Sequence, residues 1–151
     1  MTNSFVKIYM HVIFHVKSKK YVMHTGDLQR IYAYIGGILK GLGSAPLAIG
    51  GTQDHIHILA PLPKSLPISD FVRIIKSESS KWIKTLDTSY SLFAWQDGYA
   101  AFSVSQSIIG VTENYIRNQE EHHLKHSFED EYKAFLQAYD IQYDEKYLFS
   151  E

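Results

Sequence analysis

Two stretches with the apolar period of a helix alternate with four short stretches that have the character of strands, and few folds accommodate that order. Residues 5–17, F-V-K-I-Y-M-H-V-I-F-H-V-K, are β-branched and aromatic and predict a strand. Over 27–42, Leu28, Ile31, Tyr32, Ile35, Ile38, Leu39 and Leu42 fall on one helical stripe, which Gly43 ends. Residues 46–50 and 54–60 are short apolar segments around Gly50-Gly51 and predict a hairpin with the two glycines as its turn. Pro67 and Ser69 open a second helix with Val72, Ile75, Ser79, Trp82, Ile83 and Leu86 on one side. Residues 99–104 predict a fourth strand. The order β-α-β-β-α-β predicts an α+β, ferredoxin-like antiparallel sheet with helices on one face. A continuous third helix is expected from about Ser107 to Lys125. A fourth begins at Ser127, where Ser127-x-x-Asp130 has the form of a capping box, and would bury Tyr132, Phe135, Leu136 and Tyr139. At 151 residues the chain is expected to form one domain over 1–151.

Composition narrows the chemistry. The chain has no cysteine, so a disulfide scaffold, a thiolate metal site and a cysteine nucleophile are all excluded. No run approaches the ~18 apolar residues of a membrane span. The apolar stretch from Phe5 to Val16 is interrupted by Lys7, His11 and His15 and lacks a basic leader, so a cytoplasmic protein without membrane attachment is expected. The net charge of −1 hides an asymmetry. Residues 1–86 carry 11 Lys/Arg against 4 Asp/Glu, and residues 87–151 carry 4 against 12. A basic working surface and mutual neutralisation of the two parts both fit these counts.

Two constellations carry chemistry. His55-Ile56-His57 lies in a strand, so both imidazoles share a face while Ile56 enters the core. Their Cα atoms stand ~6.6 Å apart, which lets two rings reach one metal ion. Two strand histidines hydrogen-bonded to their neighbours are the plainer reading. A histidine-triad hydrolase is excluded because Leu59 occupies the third position, and a two-histidine phosphoesterase because position 57 is His rather than Ser or Thr. Tyr115 and Gln119 are spaced i, i+4 on the expected third helix and share a face. They read either as a buried tyrosine with an amide partner or as a tyrosine nucleophile with an amide metal ligand. Asn114 or Glu113 replaces Gln119 as ligand if the helical phase differs, and His122 with His126 forms an alternative pair.

These residues together carry a resemblance. Asp54-His55-Ile56-His57-Ile58-Leu59 matches the His-hydrophobe-His motif termed HUH. The basic helix Phe71–Lys84, then Phe93-Ala94-Trp95-Gln96-Asp97-Gly98-Tyr99, Phe102-Ser103-Val104-Ser105 and Tyr115-x-x-x-Gln119 follow in order. In order and spacing the chain resembles the single-tyrosine HUH transposases of the insertion-sequence 200/605 type, over about residues 5–130. The resemblance implies a ferredoxin-like sheet plus a C-terminal catalytic helix. It implies a homodimer acting on single-stranded DNA with subterminal hairpins, in the nucleoid of a bacterium or archaeon. It implies His55, His57 and Gln119 as ligands of Mg²⁺ or Mn²⁺ and Tyr115 as nucleophile, with the tyrosine helix completing the site of either subunit. Ala100 departs from the glycine expected after Gly98-Tyr99.

The chemistry that follows is cleavage and rejoining through a 5′-phosphotyrosine, which conserves the phosphodiester bond energy and needs no ATP. Lys17, Lys19, Lys20, Arg73, Lys76, Lys81 and Lys84 are the expected phosphate contacts, with a solvated surface as the alternative. Trp95, Tyr99 and Phe102 read either as stacking platforms for unpaired bases or as core. Asp54 reads as a carboxylate orienting a histidine or as a turn residue. Three other functions compete with the transposase: an endonuclease for chromosomal repeat hairpins, a non-catalytic hairpin-binding dimer, and a metal hydrolase that works without Tyr115.

Overall fold

The three-dimensional structure is a computed structural model that describes residues 3–149. Four strands form one antiparallel sheet: β1 (Tyr9–His15), β2 (Ala48–Thr52), β3 (His55–Pro61) and β4 (Ala100–Val104), in the order β2-β3-β1-β4. The expected order of elements therefore folds into the expected ferredoxin-like sheet. Helices α1 (Leu28–Gly41) and α2 (Ile68–Lys84) cover one face. Val12, Phe14, Ile56 and Ile58 point into that layer and meet Ile31, Ile35 and Leu39 of α1 and Phe71, Ile75 and Ile83 of α2. Strand alternation sends the odd-numbered residues of β1 and β3, including His11, His15, His55 and His57, to the opposite face. That face is closed by α3 (Ile109–Arg117), the single turn α4 (Gln119–His122) and α5 (Phe128–Ala138), followed by a last turn, α6 (Glu145–Leu148).

Three expectations are corrected. Gly50 and Gly51 lie within β2, and the turn is Gln53-Asp54. The glycines answer a packing need instead. A Cβ on Gly50 would stand 2.4 Å from the carbonyl oxygen of Ile116 in α3. Gly51 has φ 153°, and a Cβ there would stand 2.1 Å from the carbonyl oxygen of His55. The single helix expected from Ser107 to Lys125 is broken: Asn118, at φ −102° and ψ 23°, separates α3 from α4. Tyr139 is exposed, while Glu131 takes a place on the buried side of α5 with Phe128, Tyr132 and Leu136.

The cap of α5 forms as expected, with Ser127 Oγ accepting the Asp130 N–H at 3.1 Å. Removing it leaves an unsatisfied donor at the first turn. Ser127→Ala is expected to lower stability by about 1 kcal/mol, with urea unfolding as the measurement and an unchanged midpoint as the contrary result.

Candidate active site

The site lies between the His-bearing face of the sheet and helices α3 to α5. His55 and His57 are fully buried. Asp54, at the end of the β2–β3 turn, accepts from Thr52 Oγ1 at 3.0 Å and pairs with His55 Nδ1 at 2.7 Å. Burial works to raise the Asp54 carboxyl, but the bonds from His55 and Thr52 hold it below its ordinary range. An ionised Asp54 only accepts, so His55 Nδ1 is the donor of this bond and Nε2 is turned into the site. Asp54 sits in the turn and is hydrogen-bonded to a histidine ring.

The Nε2 of His55 meets Gln119 Oε1 at 3.0 Å. The break at Asn118 leaves Gln119 next to Tyr115: its Nε2 donates to the Tyr115 carbonyl at 3.4 Å and to Glu131 Oε2 at 3.2 Å. These two bonds turn the amide oxygen toward the histidines. His123 Nδ1 meets the carbonyl of His126 at 2.6 Å, and its Nε2 meets the same Gln119 Oε1 at 3.0 Å. Ring nitrogens of His55 and His123 thus meet on one amide oxygen.

Glu131 stands at the centre. Its Oε1 lies 2.9 Å from His57 Nε2, 3.4 Å from His123 Nε2 and 3.7 Å from His55 Nε2. Its Oε2 accepts the hydroxyl of Tyr115 and lies 3.1 Å from His122 Nε2. Burial works to raise the Glu131 carboxyl, but the bonds from His57 and Tyr115 carry it well below the usual carboxylate range. Burial pushes His57 down to about 4, and His11, whose Nε2 is 2.7 Å from His57 Nδ1, down to about 3. Burial first, and then the bond to Glu131, raises the Tyr115 phenol above its ordinary value. Tyr115 is half-buried and borders a cleft of about 330 Å³ lined also by His122, His126, Glu131 and Phe135.

This donor set fits a divalent cation. His55, His57 and Glu131 each place a ligand atom within 4.8 Å of the others, as do His122, His123 and Glu131. Adjacent donors around a six-coordinate ion at ~2.1 Å stand ~3.0 Å apart. The separations of 2.9 Å for His57–Glu131 and 3.0 Å for His55–Gln119 have that size.

Four of the residues expected from the sequence, Tyr115, His55, His57 and Gln119, converge here within one chain. The pair His122–His126 is stacked, with ring centroids 4.9 Å apart, but of the two only His122 faces Glu131. Asn114 and Glu113 take no part; Glu113 pairs with Arg117 at 2.9 Å. Three residues of the site were not expected: Glu131, His123 and His11. The legible signal for Glu131 was its place on the apolar stripe of α5, three residues after Phe128 and four before Phe135.

The expected DNA contacts divide. Lys17 and Lys19 border a cleft beside Asp54, and Lys19 pairs with Glu129 at 2.7 Å, so the basic and acidic parts of the chain partly neutralise each other. Lys20, Lys81 and Lys84 are exposed. Arg73 and Lys76 line a groove of about 420 Å³ with Gln96 and Tyr99. Lys76 is committed there, donating to the Gln96 and Gly98 carbonyls at 2.5 and 2.9 Å. Trp95 is core: it is buried edge-to-face against Phe14 and Phe93, and its Nε1 donates to Ser79 Oγ at 3.0 Å. Phe102 is also buried, between Phe135 and Tyr139. Tyr99 alone of the three aromatics reaches the surface.

Residues 4–119 match the family of IS200-like transposases. The chain belongs to that family. No curated protein matches it. The fold is similar to that of a protein assigned as a transposase, from Deinococcus radiodurans R1, with TM-score 0.61 and 20% identity over 79% of this chain and 95% of that one. It is also similar to a REP-associated tyrosine transposase bound to a REP hairpin, with TM-score 0.54 and 11% identity over 85% of this chain and 74% of that one. The family match ends at Gln119, so His123 and Glu131 lie beyond it. Among the described residues, no helix is long and apolar enough to cross a membrane.

Proposed function

We propose that this chain, acting as one domain over residues 1–151, cleaves and rejoins single-stranded DNA at insertion-sequence ends through a 5′-phosphotyrosine on Tyr115. The observation that carries this reading is that the Tyr115 hydroxyl donates to Glu131, the same buried carboxylate that meets His57 and Gln119. The metal reading takes His55, His57 and Gln119 as holders of Mg²⁺ or Mn²⁺, which when bound supplies Lewis-acid polarisation of the scissile phosphate.

The protein's own groups do the rest. Tyr115 is a weak nucleophile while protonated, and burial keeps it so. Its hydroxyl already donates to Glu131, which takes the proton as the oxygen attacks phosphorus. The Tyr–O–P bond forms, the P–O3′ bond breaks, and the departing 3′-oxygen takes up a proton. Rejoining is the reverse attack by a 3′-OH on the phosphotyrosine. The cleft beside Tyr115 and His122 admits the phosphate, and Phe135 lines its apolar side. All of these groups come from one chain, so a homodimer of this protein need not exchange its tyrosine helices.

The transposase bound to a REP hairpin supports DNA with subterminal hairpins as the substrate. Lys17, Lys20, Arg73, Lys81 and Lys84 are the phosphate contacts of this reading, in a protein of the bacterial or archaeal nucleoid.

The test is covalent trapping. Single-stranded oligonucleotides covering the DNA that flanks the gene, labelled at the 3′ end, are mixed with the protein and Mn²⁺ or Mg²⁺ and run on a denaturing gel. A labelled protein band is expected, and it should vanish with chelator and fall at least about a hundredfold in His57→Ala. Cleaved DNA without a protein band would instead mark a metal hydrolase. DNA binding without cleavage would mark a hairpin-binding module.

A further inference from the structure

The geometry points to Glu131 as a ligand of the site's divalent cation, supplied by α5 from outside the segment that defines the family. This inference rests on the metal-dependent reading above and changes its ligand set. The carboxylate is almost wholly buried, with a side-chain exposure of 2%. Its partners among the described residues are Tyr115, Gln119, His55, His57, His122 and His123, and none is a lysine or arginine. A buried carboxylate without a fixed cation costs several kcal/mol. A divalent ion at the point where Oε1 meets the ring nitrogens of His57, His123 and His55 supplies that charge.

Charge balance argues the same way from the ion's side. Two neutral imidazoles and one amide leave a divalent ion with its full charge in a buried site. One carboxylate halves that charge and adds the hard oxygen donor that Mg²⁺ and Mn²⁺ favour over a mostly nitrogen set. The second carboxylate oxygen stays on the Tyr115 hydroxyl. Glu131 thereby links the ion to the nucleophile, and holds both to the sheet through the packing of Phe128, Tyr132 and Leu136.

Mn²⁺ titration of the full chain, by calorimetry or by the free-ion electron paramagnetic resonance signal, tests this. Glu131→Gln keeps the shape and removes the charge, and is expected to weaken Mn²⁺ binding at least about tenfold. Glu129→Gln, on the same helix and paired with Lys19, is expected to leave it unchanged. Circular dichroism without metal checks that each variant is folded. Hydrogen exchange on the unmodified chain gives a second measurement that needs no variant: Mn²⁺ is expected to increase protection of the α5 amides. If His57→Ala abolishes Mn²⁺ binding while folded Glu131→Gln binds within twofold of the parent, Glu131 is not a ligand and the metal reading stands. Should Glu131→Gln not fold, unchanged α5 exchange on adding Mn²⁺ likewise removes Glu131 from the ligand set. Failure of the unmodified chain to bind Mn²⁺ overturns the metal-dependent reading itself.

Discussion

Tyr115→Phe is expected to abolish the covalent protein–DNA band and to slow strand cleavage by at least about a thousandfold, the scale on which enzymes lose activity with their nucleophile. The substitution removes one oxygen and little else. The ring keeps its place beside His57, His11 and Phe135, whose centroids lie 5.9, 6.4 and 5.8 Å away. Glu131 loses one donor but retains Gln119 and His57, so the carboxylate remains partnered. DNA binding and Mn²⁺ binding should persist in the variant, which separates a lost nucleophile from a collapsed site. Single-turnover cleavage of a 3′-labelled strand is the measurement. Undiminished cleavage in Tyr115→Phe would sink the tyrosine mechanism and leave metal-dependent hydrolysis.

Gly50→Ala is expected to damage the same reaction from a distance. The added methyl would meet the Ile116 carbonyl oxygen at 2.4 Å and Ile116 Cγ2 at 3.2 Å. The first obstacle is helix backbone, which cannot rotate away as a side chain would, so α3 must move off the sheet. Tyr115 precedes Ile116 on that helix and moves with it. A displacement near 1 Å at a reacting group costs about a hundredfold in rate. Overpacking should also lower stability by about 1–3 kcal/mol. The pair of measurements is the thermal midpoint and the rate of adduct formation. A variant that matches the parent in both would show that α3 is not held by this contact.

Much of this protein was legible in order and period. The stripe Leu28, Ile31, Ile35, Leu39 gave α1 its buried side, and alternation at His55-Ile56-His57 placed both rings on one face with Ile56 in the core. Ser127 was readable as a cap because capping is a local event, settled by an Oγ and an N–H three residues apart. The two glycines do not form the turn because Gly50 answers to Ile116, sixty-six residues away, and no local rule reports such an approach. The break at Asn118 carries no local stop signal, since residues 117–123 contain neither glycine nor proline. Trp95 was ambiguous for the reason that a large aromatic serves a core or a base equally well until its neighbours are known.

The site divides along the same line. Sequence alone determined which chemistry was available: histidines at strand spacing, a tyrosine and an amide four residues apart, no cysteine, and the family those residues mark. Tertiary structure decided that they meet in one place. Local rules reach only a few residues, whereas Glu131 meets His57 across 74 positions and His55 across 76. Packing of Phe128, Tyr132 and Leu136 on the sheet sets the depth at which that carboxylate arrives. Burial then makes its charge costly enough that six polar partners gather around it.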